Sequence, residues 1–148
     1  MEEALLSSNK MDWRTPQAFF DKLNEEFCFI IDAAATKENT KCTFFYTPET
    51  DGLASSWQLD IGAVFCNPPY GREIGKWVKK AHDEANAHGT TIVLLIPART
   101  DTAYFHDYIL GKAEIRFVRG RLSFGTDDGT TLYHAPFPSM VVVYNGRG

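Results

Sequence analysis

Ala63-Val64-Phe65-Cys66-Asn67-Pro68-Pro69-Tyr70-Gly71 runs from four apolar residues straight into two consecutive prolines. A short apolar run stopped abruptly by turn-forming residues reads as a strand buried on both faces. Such strands belong to parallel sheets, which need crossover connections, usually helices. A helix follows here, since Ile74, Trp77, Val78, Ala81 and Ala85 recur at helical spacing and Gly89 stands at the C-cap position. The prolines remove backbone donors and restrain Asn67 before them. The turn is therefore stiff, and its carbonyl oxygens join no ladder. Two readings suit a bare Asn-Pro-Pro-Tyr: a rigid strand-to-helix turn with Tyr70 capping the core, or a reactive turn. The strand before it and the glycine and amphipathic helix after it favour the reactive turn.

Upstream, Thr15-Pro16 reads as a helix N-cap followed by proline at the first helical position. Phe19, Leu23 and Phe27 then mark one buried helical face. Residues 27–31 form a continuous apolar run ending in Asp32, and residues 42–46 read as the next strand. Downstream, residues 91–96 are predicted as a strand and 102–110 as a helix ended by Gly111. Residues 113–118 and 140–144 are two further strands, with 125–138 the longest loop. Strands alternating with helices predict an α/β fold, a single domain over residues 12–148 after a loose tail at 1–11. The sheet is expected to be mainly parallel with helices on both faces and an antiparallel last strand. Ligands of such sheets bind at the carboxyl ends of the strands. Asp32, Asp51 and Asn67 stand at or just past such ends, so they line one crevice.

The 148 residues suffice for one globular core, being 44% hydrophobic and 14% aromatic. No apolar run approaches the length of a membrane span, and the acidic start lacks a secretory pattern. Cys28, Cys42 and Cys66 each lie in an apolar stretch and are expected as small buried hydrophobes in a reducing, cytoplasmic setting. His82, His88, His106 and His134 are scattered, so no metal is expected. The net charge of −4 conceals an asymmetry. Residues 1–60 hold 11 acids and 5 bases, whereas residues 61–148 hold 8 acids and 10 bases. Arg72, Lys76, Lys79 and Lys80 form one basic group, and Lys112, Arg116, Arg119 and Arg121 another. They read either as solvated surface or as a basic rim for an anionic polymer beside an acidic half suited to a cationic ligand.

Asn67-Pro68-Pro69-Tyr70 resembles the D/N-P-P-Y/F motif of amino-methyltransferases. The wider pattern is more specific. Asp12-Trp13-Arg14-Thr15-Pro16, Asp32-Ala33-Ala34-Ala35, Asp51-Gly52-Leu53 with Trp57, Asn67 to Gly71 with Trp77, Ile96-Pro97-Ala98-Arg99-Thr100 and Gly120-Arg121-Leu122-Ser123-Phe124 occur in this order. Together they resemble the compact DNA N6-adenine methyltransferases (Dam) of phages and prophages, from Asp12 to Tyr144. The resemblance implies a Rossmann-like class I methyltransferase fold. It also implies S-adenosylmethionine as methyl donor and adenine N6 in double-stranded DNA as acceptor, in restriction-modification or regulation. Asn67 and the Pro68 carbonyl would accept hydrogen bonds from the adenine amine and free its lone pair, with Tyr70 stacking on the extruded base. Asp32 with Ala33 would lie near the methionine end of the cofactor and Asp51 near its adenine, with Thr15 and Pro16 packed over it. Each aspartate also suits a plain turn or cap. Arg72, Lys76, Arg119 and Arg121 are the expected DNA contacts, although Arg121 equally suits a buried pairing with an acid. The chain departs from the broader superfamily in having Asp32-Ala33-Ala34-Ala35-Thr36 where a glycine-rich motif is usual. It also leaves no room for a separate target-recognition domain, so sequence reading falls to loops such as 125–138. The alternatives are an N5-glutamine or RNA amino-methyltransferase and a non-catalytic nucleic-acid-binding relative. A nucleotide-binding oxidoreductase would need a glycine fingerprint that the chain lacks.

Overall fold

The computed structural model describes residues 14–125 and 132–146. The expected tail at 1–11 lies outside the described residues, as do Asp12 and Trp13. Helix α1 (Gln17–Phe27) leads into β1 (Phe29–Asp32), β2 (Phe44–Phe45) and β3 (Ala63–Cys66). Helix α2 (Ile74–His88) and β4 (Thr91–Pro97) follow, then a short π-helical turn, Phe105–Ile109. The chain closes with β5 (Glu114–Phe117), the pair β6 (Ser123–Gly125) and β7 (Leu132–His134), and β8 (Ser139–Tyr144). Six strands form one sheet in the order β2-β1-β3-β4-β8-β5. The first three pairings are parallel and the last two antiparallel, so the sheet is mostly parallel, as expected. Strand β8 inserts between β4 and β5 rather than adding at an edge, which its position at the end of the chain does not announce.

The centre of this sheet is the core. Every residue of β3 and β8 is buried, as both faces of a central strand must be. Helix α1 presents Phe20 and Leu23 to the core, and Phe20 meets Phe65 edge-on at 5.1 Å between ring centres. Phe19 and Phe27, expected on the buried face, are only partly covered. Helix α2 buries Ile74, Trp77, Val78, Ala81 and Ala85, the set its spacing predicts. It ends at Gly89 with φ 68° and an N–H bond to the Ala85 carbonyl, a conformation that suits glycine. No helix among the described residues is long and apolar enough to cross a membrane.

Four local expectations are corrected. The helix expected over 102–110 winds as a π turn, with Leu110 N–H bonded to the Phe105 carbonyl. Residues 132–134 of the expected loop pair antiparallel with residues 123–125, while residues 126–131 lie outside the described residues. Cys28 is exposed, because it caps α1 in a left-handed conformation; Cys66 is buried and Cys42 intermediate. Thr15 does not cap α1. Pro16 occupies that position, no side chain caps the helix, and the buried Thr15 hydroxyl is engaged elsewhere.

Candidate active site

The parallel strands β1 and β3 end side by side, with Asp32 in register with Phe65. Asp32 and Asn67 therefore emerge at the same edge of the sheet, and both line a small cleft with Thr15, Asn39 and Lys41. Asn67 Nδ2 donates to Thr15 Oγ1 at 2.9 Å. This bond sets the amide orientation, turning its oxygen into the atom that can accept from a substrate amine. Thr15→Ala should accordingly lower kcat several-fold, up to about tenfold, for the loss of a hydrogen bond worth about 0.5–1.5 kcal/mol. Thr15→Ser should restore the rate, and steady-state kinetics on the three proteins checks both expectations.

Asp32 is 4% exposed. Its Oδ2 accepts the Lys41 N–H at 3.0 Å, and its carboxylate also accepts from the Ala34 backbone. Desolvation outweighs these bonds and pushes its pKa up to about 7. The Lys41 ammonium reaches Gln17 Oε1 at 2.9 Å, and burial lowers its own pKa.

A second cavity of about 210 Å³ continues from Ala34 along Ala33, Asp51, Leu53, Pro69 and Trp77. Its outer wall is the turn at Asp51, whose φ of 54° is left-handed and whose carboxylate accepts the Leu53 N–H at 3.2 Å. Gly52 is packed so closely against the chain just past β1 that a Cβ there would collide with the Ala33 carbonyl oxygen. Its own carbonyl accepts the Trp57 indole N–H at 2.9 Å, and Trp57 stacks on Trp77. Ala34 lines both, so the cleft of Asp32 and Thr15 adjoins this second cavity, which Ala33 and Asp51 border. Trp77 belongs to it as well, although its helical spacing reads equally as core.

Tyr70 faces a third cavity of about 430 Å³, which it shares with Arg72, Pro97, Arg99, Tyr104 and Phe137. It is buried and meets Phe137 and Phe124 edge-on at 5.4 and 6.2 Å between ring centres. Burial raises its hydroxyl above the ordinary tyrosine range, so it stays neutral. The Asn67–Tyr70 turn is consequently a partition: Asn67 and Pro69 border the cleft, and Tyr70 borders the aromatic cavity. The sequence did not single out Phe137, and it offered Arg99 only within the block Ile96–Thr100, with no role of its own. Phe137 sits in a stretch of turn residues, and only the β6–β7 pairing and β8 bring it to Tyr70.

The expected cationic contacts separate into two kinds. Arg72, Arg119 and Arg121 are exposed, so the buried alternative for Arg121 is removed. Lys76 shares its charge with Glu73 at 3.3 Å. Arg116, from the same basic group as Arg121, is held bidentately by Glu26 at 2.7 Å, bonded to Glu114 and laid over the Phe27 ring. Arg116→Ala should therefore cost less than about 1 kcal/mol of stability, as a partly exposed pair does, and leave the salt dependence of DNA binding unchanged. Arg121→Ala should spare stability and lower the salt slope by about one phosphate contact. Denaturant melts and binding isotherms over a salt series separate them.

The Asn-Pro-Pro-Tyr turn thus stands at a parallel-sheet edge, with a polar cleft on one side and an aromatic cavity on the other. The family model of DNA N-6-adenine-methyltransferase (Dam) matches residues 3–146. The chain is 35% identical over 112 residues to a DNA N-6-adenine-methyltransferase of Escherichia phage T1, covering 75% of this chain and 46% of that protein. It is 29% identical over 146 residues to a DNA N-6-adenine-methyltransferase of Haemophilus phage HP1, covering 95% and 82%. The chain belongs to the DNA N-6-adenine-methyltransferase (Dam) family, as its sequence blocks led one to expect. The match spans about half the length of the T1 relative and most of the HP1 relative.

Proposed function

We propose that this chain transfers a methyl group from S-adenosylmethionine to the N6 amine of an adenine extruded from double-stranded DNA. The observation that carries the reading is the partition made by Asn67–Tyr70, with a polar cleft and an aromatic cavity on its two sides. The sheet is read as a Rossmann-like class I methyltransferase core with helices on both faces.

The residues of the cleft fit the donor. The buried Asp32 carboxylate suits a cationic methionine end. The Trp77 ring and the turn at Asp51, held against Ala33 by Gly52, suit a flat adenosine. Pro16, adjacent to Thr15 in the chain and at the N-cap of α1, is read as packing over the same donor. Bound there, S-adenosylmethionine supplies an electrophilic methyl group on a sulfonium. The chain's own residues orient the acceptor. Asn67 Oδ1 and the Pro68 carbonyl take the two N–H bonds of the adenine amine, drawing its lone pair out of the ring. Neutral Asn67 orients the amine and does not deprotonate it. Tyr70, kept uncharged by burial, stacks on the base, and Phe137 closes the same cavity. Arg72, Arg119 and Arg121 contact phosphates, and Lys76 joins them where DNA displaces Glu73.

The test is to incubate the protein with labelled S-adenosylmethionine and unmethylated duplex DNA, digest the DNA and identify the modified nucleoside. N6-methyladenine is the expected product. Label in RNA or protein but not in DNA would overturn the reading in favour of another planar amine or amide.

A further inference from the structure

Several of the described cations are already neutralised. Lys76 pairs with Glu73, Lys79 with Asp83, Lys80 with Glu84, and Arg116 with Glu26 and Glu114. Arg72 and Arg99 differ. Among the described residues they form no ion pair, both are exposed, and both line the aromatic cavity of Tyr70 and Phe137.

Their placement follows from the sheet. Strands β3 and β4 are parallel neighbours with Cys66 in register with Leu94, so the loops beyond them leave the sheet side by side. Arg72 lies on the first loop and Arg99 on the second. Arg99 is carried on a braced turn. Its N–H bonds to the Pro97 carbonyl at 3.0 Å, its own carbonyl accepts the Thr102 hydroxyl at 2.8 Å, and that hydroxyl also accepts the Phe105 N–H at 3.3 Å. A braced turn removes the backbone part of the ordering cost of binding an anion, and the planar guanidinium fork matches a phosphate.

An extruded nucleotide draws its own backbone toward the cavity it enters, so the phosphates on either side of the base arrive at the cavity rim. Resting on the DNA-methylating reading above, we propose that Arg72 and Arg99 form a two-point clamp on the phosphates flanking the extruded adenosine. The clamp positions the base and recognises no sequence, since phosphate contacts carry none. Arg99 is the member that composition and basic clustering do not reveal, because it stands alone between apolar β4 and the π turn.

The experiment begins by mapping the methylated adenine on unmethylated plasmid DNA, then uses a duplex carrying that site. Wild type, Arg99→Ala, Arg99→Lys and the Arg72→Ala/Arg99→Ala double variant are titrated over a salt series, with S-adenosylhomocysteine affinity measured in parallel. The log–log salt slope should fall by about one in Arg99→Ala and about two in the double variant, and stay near wild type in Arg99→Lys. S-adenosylhomocysteine affinity should not change. Replacing a flanking phosphate by a neutral methylphosphonate should remove the difference between wild type and Arg99→Ala. An active wild type whose slope is unaltered by Arg99→Ala, in a variant that still binds S-adenosylhomocysteine, overturns the clamp alone. A wild type that binds S-adenosylhomocysteine but methylates no DNA overturns the reading beneath it, and the clamp with it.

Discussion

Asn67→Ala is expected to lower kcat by about 10²–10³ while leaving the fold and cofactor affinity intact. The side chain stands at the end of β3, tied through Nδ2 to Thr15, and in the proposed function its oxygen is the acceptor for the adenine amine. That acceptor matters most as the amine pyramidalises, because the nitrogen lone pair leaves the ring only then. By analogy with deleting an oxyanion-hole donor, its loss costs about 2.7–4 kcal/mol of transition-state stabilisation. The small cavity left is bordered by polar side chains, so little apolar contact is lost. Single-turnover methylation, a thermal melt and S-adenosylhomocysteine titration decide the matter. A folded variant within a few-fold of wild type would sink the proposed role. Loss of cofactor affinity with an unchanged chemical step would move Asn67 to the donor side of the partition.

Asp32→Asn should act in opposite directions on stability and on binding. Burial raises the Asp32 pKa from 3.8 to about 7 in the folded chain. A group that holds its proton more tightly when folded favours folding most at low pH. The Asp32 contribution to the stability of the ligand-free protein should be greatest below about pH 4, fall between about 4 and 7, and level off above. Three pKa units correspond to on the order of 4 kcal/mol. The substituted amide carries no charge to desolvate, so the variant should lose this slope and be more stable than wild type at about pH 8. Its affinity for S-adenosylmethionine should nonetheless drop, because the counter-charge for the methionine end is gone. In the wild type that affinity should rise as pH passes through about 7, as the carboxylate ionises. Urea melts from about pH 4 to 8 and calorimetric titrations at about pH 6 and 8 test both halves. A variant less stable than wild type at the alkaline end, with unchanged affinity, would return Asp32 to an acceptor for the Lys41 and Ala34 amides.

The second basic group shows how far a charge pattern can be read. Lys112, Arg116, Arg119 and Arg121 are close in the chain and look alike there. In the structure Arg116 is absorbed by Glu26, which lies 90 positions away, whereas Arg119 and Arg121 remain exposed. Thr15 reads differently for a similar reason. Cap chemistry is a local rule, yet the Thr15 hydroxyl found a partner 52 positions downstream.

Local patterns alone determined a good deal of this protein. The apolar runs before Asp32 and Asn67, the spacing of Ile74 to Ala85 and the stop at Gly89 specified β1, β3 and α2, because burial on both faces or on one helical stripe leaves a direct periodic mark. The proline pair placed a stiff turn at a strand end, and the six ordered blocks named the family. Tertiary structure alone decided which residues meet across the chain. Strand β8 lies between β4 and β5, and residues 132–134 become a strand only by pairing with 123–125, since a three-residue strand has no periodicity of its own. Phe137 and Arg99 join Tyr70 and Arg72 around one cavity through loops from different strands. Contacts of that kind depend on sheet order and register, which side-chain sequence constrains only through the packing of the whole core.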